Sequence, residues 1–226
     1  MPPAPEPPRS APPLRPRAIL LDLDGTLADS LQVMRLAYRA FLAQFGAPHS
    51  DAEFDSLNGP PLAEVVRRLK ATHTLPGEAP ALLENYFAII DRTYAEVLPS
   101  PGAKALLQKA KRNHCTVGVV TSNSALRTRA WLSAAGLADL VDFVVAGEDV
   151  AQGKPHPEAY ARAATKAGCA LADIVAVEDS PQGATSALAA GLKTFMLGDA
   201  SDPALPMQAE PIASFGALAN RLWPLP

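Results

Sequence analysis

The feature that most constrains this chain is a short apolar run that recurs five times and gives way each time to glycine, polar or acidic residues. Each run is four or five residues long, which is typical of strands buried on both faces of a parallel sheet. The runs cover 18–21, 116–120, 143–146, 174–177 and 194–197. Three helical patterns, each followed closely by a glycine, cover 124–135, 157–167 and 181–190. This alternation predicts an α/β fold with a doubly wound, Rossmann-like parallel sheet.

One interval between predicted strands is too long for a single crossover. More than ninety residues separate Leu21 from Thr116, and they contain helical patterns at 31–45, 62–71 and 79–97. We expect Asp29 and Ser30 to cap the first of these helices. An insertion at this edge of the sheet is well placed to cover a site and exclude water. The predicted organisation is a proline-rich disordered tail at 1–16, a core domain at 17–28 and 99–226, and an inserted all-helical cap domain at 29–98.

Composition excludes several classes of partner. Lys and Arg number 20 against 23 Asp and Glu, a formal net charge of −3, which argues against nucleic acid or anionic lipid as the main partner. No apolar run approaches the ~20 residues that a membrane span requires. The cysteines, Cys115 and Cys169, lie in apolar segments and are expected to be core residues in a reducing compartment. These features predict a cytoplasmic protein, and they leave open whether it is a monomer or a homodimer.

Four acidic residues follow two of the predicted strands. Asp22 and Asp24 come directly after the first run, and Glu178 and Asp179 follow the fourth. Because parallel strands end at one edge of a sheet, these carboxylates are expected to meet in one crevice. They would repel one another without a cation, and an all-oxygen set favours Mg²⁺ over zinc. We therefore predict a Mg²⁺ site formed by the carboxylates together with the backbone carbonyl of Asp24.

The remaining strand ends carry groups that suit an anion. Ser122 and Asn123 offer a hydroxyl and an amide at a strand-to-helix turn, and Lys154 adds a fixed positive charge. Carboxylates, a divalent cation, a lysine and such a turn are the parts that phosphoryl transfer requires. In this interpretation Asp22 is the nucleophile, and Asp24 protonates the leaving oxygen and later deprotonates the attacking water.

These segments resemble, in order, the four motifs of the haloacid dehalogenase-like (HAD) hydrolase superfamily: 20–30, 121–123, 154–157, and 178–180 with Gly183 and 189–191. The early helical insertion is similar to the cap of the phosphoglycolate phosphatase and β-phosphoglucomutase branch. The resemblance implies Asp22 as nucleophile, Asp24 as general acid and base, and Ser122 and Lys154 as phosphate contacts. It also implies Mg²⁺ held by Asp22, the Asp24 carbonyl, Asp179 and Glu178.

Two departures from the family narrow the expected activity. The dehalogenases lack the second aspartate, so Asp24 argues against dehalogenation. In the stretch 59–62, Leu62 stands where the mutase pattern has an arginine for a second phosphate. We expect a phosphatase that hydrolyses a small phosphorylated metabolite, phosphoglycolate-like or sugar-phosphate-like, through an aspartyl-phosphate. The alternatives are a phosphosugar mutase of the β-phosphoglucomutase type and a non-catalytic binding module.

Overall fold

A computed structural model describes residues 14–57, 60–94, 96–198 and 205–224. Most of the predicted tail (1–13) and Gly59 of the stretch 59–62 lie outside the described residues. Within them, six parallel strands form one sheet in the order β3-β2-β1-β4-β5-β6. The strands are β1 (Ala18–Leu21), β2 (Thr116–Val120), β3 (Phe143–Val145), β4 (Ile174–Glu178), β5 (Lys193–Leu197) and β6 (Glu210–Ile212). The five predicted strands and the parallel sheet are thus confirmed.

Four helices occupy the insertion and five belong to the remainder of the described chain. The insertion contains α1 (Leu31–Ala43), α2 (Asp51–Ser56), α3 (Leu62–His73) and α4 (Ala79–Tyr94). The others are α5 (Ala103–Arg112), α6 (Ala125–Ala134), α7 (Glu158–Ala167), α8 (Pro181–Ala189) and α9 (Phe215–Leu222). The helix predicted over 79–97 ends at Tyr94, because Leu98 and Pro99 pair with the chain that leads into the insertion. In the described part of the chain, no helix is both long and apolar enough to cross a bilayer.

The sheet is covered on both faces, as a doubly wound fold requires. Side chains alternate along β1: Ile19 and Leu21 pack into the apolar cluster that contains α5 and α9, whereas Leu20 packs with α7. All four residues of β1 are fully buried. Strand β1 therefore has no solvent-exposed face, and a site on it can be reached only at its carboxyl end.

The insertion leaves and returns through two segments that lie side by side. Ala28 forms an antiparallel bridge with Pro99, and the amide of Asp29 donates to the carbonyl of Leu98 at 2.9 Å. Inside the insertion, α1 packs on α4, and Phe41 stacks on Tyr86 with ring centroids 4.7 Å apart. These contacts support the predicted division into core and cap, whose limits stay a prediction.

Candidate active site

The predicted site residues meet at the carboxyl edge of the sheet, around the end of β1. Asp22 continues that strand, with its amide donating to the carbonyl of Val177 on β4 at 3.0 Å. Carboxylate oxygens of Asp22, Glu178 and Asp179 lie within 4.8 Å of one another. Because β1 lies between β2 and β4, the loops after all three strands converge on the same point.

Lys154 lies between two of these carboxylates, Asp22 and Glu178. Its ammonium donates to Asp22 Oδ1 at 2.5 Å, to Glu178 Oε1 at 2.5 Å and to the carbonyl of Val120 at 3.0 Å. The side chain is only 3% exposed, so this cation is held by protein groups alone. Burial acts to lower the pKa of Lys154, but the two carboxylates outweigh it and raise that pKa above its ordinary value. The lysine is therefore charged at neutral pH and fixes one oxygen of the Asp22 carboxylate.

Glu178 is fully buried and accepts three side-chain hydrogen bonds. Besides Lys154, the hydroxyl of Tyr160 donates to Oε1 at 2.7 Å and that of Ser180 donates to Oε2 at 3.2 Å. Gly183 makes room for this carboxylate, because a Cβ there would lie 2.1 Å from its atoms. Ser180 also accepts from the Gly183 amide and so caps α8.

Asp179 faces the loop that follows β1. The hydroxyl of Thr26 donates to its Oδ1 at 3.3 Å. A Cβ on Gly25 would lie 2.0 Å from Oδ2 of Asp179, and Gly25 has φ of +82°. Only glycine satisfies both conditions, so this loop can approach the acidic group closely.

Asp24 accepts hydrogen bonds from three parts of the molecule. Ser30 and Tyr94 donate to Oδ1 at 2.8 and 2.6 Å, and the side-chain amide of Asn123 lies 3.3 Å from Oδ2. Ser30 occupies the N-cap position of α1, as predicted, but its hydroxyl donates to Asp24 and makes no capping bond to the helix. Tyr94 comes from α4, which links the carboxylate directly to the insertion.

The loop after β2 leads into the N-terminus of α6. Ser122 and Asn123 both line the cavity at this point. The backbone amide of Asn123 donates to Thr121 Oγ1 at 3.0 Å. Ser124 caps α6 by accepting from the Arg127 amide. Gly147 lets the neighbouring loop approach, because a Cβ there would lie 2.6 Å from the Ser122 carbonyl oxygen. A helix N-terminus with a hydroxyl and an amide is suited to bind a phosphate group.

The acidic group is electrostatically unfavourable by itself. Burial, followed by the charge of Glu178, raises the pKa of Asp179 from 3.8 to about 7, against the opposing charge of Lys154. Burial also raises the pKa of Asp22, with Lys154 again opposing it. A divalent cation coordinated by these oxygens would stabilise their ionised forms. The three carboxylates therefore fit a hard metal ion, and Asp24 lines the same cavity as Asp22 and Asp179.

A cavity of about 310 Å³ opens above these residues, between the sheet edge and the insertion. Its floor contains Asp22, Asp24, Lys154 and Asp179, and α6 contributes Arg127 to one side. The guanidinium of Arg127 donates to Asp91 of α4 at 2.7 Å. The sequence contains no signal for Arg127, or for the two tyrosines whose hydroxyls donate to Asp24 and Glu178. Arginine and tyrosine are also common on ordinary amphipathic helices.

Comparison with known proteins places the chain in a family. Residues 19–197 match the family model described as haloacid dehalogenase-like hydrolase. Hexitol phosphatase A of Escherichia coli is 33% identical over 194 residues, covering 84% of this chain and 86% of that protein. Phosphoglycolate phosphatase of Rhodospirillum rubrum is 32% identical over 213 residues, covering 90% and 86%.

A solved structure is similar to this chain over most of its length. CbbY from Rhodobacter sphaeroides, crystallised with phosphate, superposes with a TM-score of 0.75 at 26% identity, covering 90% of this chain and 96% of that one. The prediction of an α/β core with a helical cap is confirmed, as is that of a phosphoric monoester hydrolase. The chain belongs to the haloacid dehalogenase-like hydrolases, and phosphoglycolate phosphatases are among its relatives.

Proposed function

We propose that this protein is a Mg²⁺-dependent phosphatase that hydrolyses a small phosphorylated metabolite through an aspartyl-phosphate on Asp22. The observation that carries the proposal is the position of Asp22 on the cavity floor, with one oxygen held by Lys154 at 2.5 Å and Asp24 beside it. The phosphatase relatives support the reaction class. Cytoplasmic location stays a prediction.

In the first step, a carboxylate oxygen of Asp22 attacks phosphorus, and the bond from phosphorus to the ester oxygen breaks. Asp24 donates a proton to that oxygen, so the alcohol leaves neutral. Lys154 offsets the negative charge that otherwise keeps the Asp22 carboxylate and the phosphate apart. The donors at the start of α6, including Ser122 and Asn123, orient the phosphoryl oxygens.

In the second step, Asp24 accepts a proton from a water molecule, which attacks phosphorus and releases inorganic phosphate. The Asp22 carboxylate is regenerated, and Asp24 returns to its protonated state for the next turnover. Asp22, Asp179, Glu178 and the Asp24 carbonyl would hold Mg²⁺. When bound, the ion supplies positive charge that offsets the charges of the carboxylates and of the transferred group.

The test is phosphate release from a panel of metabolite monoesters, with Mg²⁺ and with a chelator. We expect turnover with Mg²⁺ alone, and none from Asp22→Asn, which keeps the size of the side chain. After a rapid quench, mass spectrometry should find one phosphoryl group on the peptide that contains Asp22. Asp29→Asn is the matched control, since Asp29 is exposed and outside the cavity lining.

The same panel separates the alternatives. A phosphosugar mutase would convert a sugar phosphate into an isomer with little free phosphate. A binding module would release phosphate from no ester and form no phosphorylated Asp22. Either result with folded protein would contradict the proposal.

A further inference from the structure

The cavity above Asp22 has two walls of opposite character. The wall from the core carries the polar and charged groups described above. Thirteen described residues of the insertion form the other wall, and none of them is charged. They are Leu31, Met34, Phe54, Leu57, Pro60, Pro61, Leu62, Ala63, Val65, Leu83, Tyr86, Phe87 and Ile90. Tyr86 alone among them has a side-chain oxygen or nitrogen, so this apolar wall offers a substrate almost no hydrogen bonds.

The apolar wall is seated against the core. A Cβ on Gly153 would lie 2.7 Å from Cγ of Pro61, so the chain leading into α3 touches the loop that carries Lys154. On the other side, the guanidinium of Arg127 lies 4.9 Å from the ring centroid of Phe87. The group attached to a phosphate on the floor would therefore be enclosed by the apolar wall.

The described lining holds two cations, and both are already paired. Lys154 lies between Asp22 and Glu178. Arg127 donates to Asp91 Oδ1 through Nε and forms an ion pair with the same oxygen through Nη2 at 2.6 Å. Its Nη1 donates to Asn123 Oδ1 at 2.6 Å. Among these residues no uncompensated positive charge faces a second phosphate or a carboxylate of the substrate.

We propose that the physiological substrate is a phosphate monoester of an apolar alcohol, with a ring or a short alkyl chain and no second anionic group. This inference rests on the proposed function. Hydroxyls of a sugar or polyol would lose water on entering the apolar wall without gaining partners there. The volume of about 310 Å³ is at the lower end of the range for small-molecule pockets, enough for a phosphate and a group of that size. The choice departs from the phosphoglycolate-like or sugar-phosphate-like substrate expected above.

The experiment compares kcat/KM for ethyl, butyl and hexyl phosphate with the values for phosphoglycolate and glucose 6-phosphate, all esters of primary alcohols. We expect kcat/KM to rise about fourfold per methylene group until the cavity is filled. Hexyl phosphate should exceed both metabolites by at least tenfold. A flat series, or a metabolite that matches hexyl phosphate, would overturn the inference.

A pair of variants on α1 tests the wall directly. Met34→Gln places an amide in the wall, so the ratio of kcat/KM for hexyl to ethyl phosphate should fall at least fivefold. Leu36→Gln is the matched control, because Leu36 is 59% exposed and outside the lining. The ratio of kcat/KM for hexyl to ethyl phosphate in Leu36→Gln should equal that of the wild type. An equal fall in Met34→Gln and Leu36→Gln would contradict the role of the apolar wall.

Acetyl phosphate distinguishes the two levels of failure, because its leaving group is small and needs no apolar wall. If acetyl phosphate is hydrolysed in an Asp22-dependent manner while the alkyl series is flat, only the substrate class is wrong. If neither acetyl phosphate nor any ester is hydrolysed, the proposed function fails and this inference fails with it.

Discussion

The buried carboxylate of Asp179 should make the metal-free protein less stable as pH rises. Burial and the neighbouring Glu178 raise its pKa from 3.8 to about 7. An acid whose pKa is raised on folding releases its proton more readily from the unfolded chain. The resulting cost is absent below about pH 4, grows between pH 4 and 7, and is complete above pH 7. Asp179→Asn has nearly the same shape and removes this cost.

The size of the effect follows from the pKa difference. The rise in pKa from 3.8 to about 7 lowers the free energy of unfolding by about 4 kcal/mol at pH 8, since a tenfold change in an equilibrium constant is ~1.4 kcal/mol. At pH 5 the same two pKa values lower the free energy of unfolding by only about 2 kcal/mol. For a chain of this length, ~2–4 °C per kcal/mol converts the pH 8 value into a rise in Tm on the order of 10 °C. Mg²⁺ at one hundred times its Kd should stabilise the wild type by about 3 kcal/mol.

Differential scanning calorimetry with a chelator, at pH 5 and pH 8, measures the difference in Tm between the wild type and Asp179→Asn. We expect the metal-free variant to melt higher at pH 8, by about twice the margin at pH 5, and to gain little from added Mg²⁺. Asp29→Asn, at an exposed position, should melt like the wild type at both pH values. A metal-free variant that melts no higher than the wild type at pH 8 would refute the reasoning.

Three further substitutions address the groups around the nucleophile. Asp24→Asn should still form a phosphoenzyme from acetyl phosphate, but its hydrolysis should slow by about 10²–10⁴-fold in quenched single turnovers; unchanged hydrolysis would remove Asp24 as the base. Lys154→Met should lower kcat/KM at least 10²-fold and cost about 3–5 kcal/mol in urea unfolding, since it leaves Asp22 and Glu178 buried without their cation; native stability would count against the burial argument. Tyr94→Phe removes a donor from Asp24 and should lower kcat roughly tenfold with KM unchanged, whereas a rise in KM alone would indicate a substrate contact.

The convergence of the acidic residues was accessible from sequence because it follows from topology. Parallel strands end at one edge, so any residue placed directly after such a run is placed in space as well. That reasoning puts Asp22, Asn123 and Asp179 around one point, and the structure brings them together. This inference does not depend on how side chains pack, so the pattern of a single sequence is enough to predict which residues meet.

Other elements fell outside the predictions for separate physical reasons. The edge strand β6 has only three residues and contains Pro211, so it lacks a strand pattern. In contrast, α5 had a readable signal: Ala103, Leu106, Leu107 and Ala110 are buried at i, i+3, i+4 and i+7, directly after a Pro-Gly turn. The first omission is intrinsic to short edge strands, and the second was avoidable.

The hydrogen bonds that organise the site could not be derived from spacing. Tyr94 reaches Asp24 across 70 residues of sequence, and Tyr160 reaches Glu178 across 18. In each helix the tyrosine lies on the buried face, where an aromatic residue is expected for packing alone. Its hydroxyl gains a function only because the fold places a carboxylate within reach.

Glu178 and Asp179 differ in how much capacity their oxygens have left to coordinate a cation. Each carboxylate oxygen has two lone-pair positions, and Oε1 of Glu178 already accepts from both Lys154 and Tyr160, while Oε2 accepts from Ser180. Asp179 accepts one long hydrogen bond from Thr26, which leaves it far more capacity for a cation. Asp179 is therefore the stronger candidate for direct coordination. Glu178, with three donors already bound, has less capacity left for the ion, and it also holds Lys154 beside Asp22, the residue that must meet the phosphate.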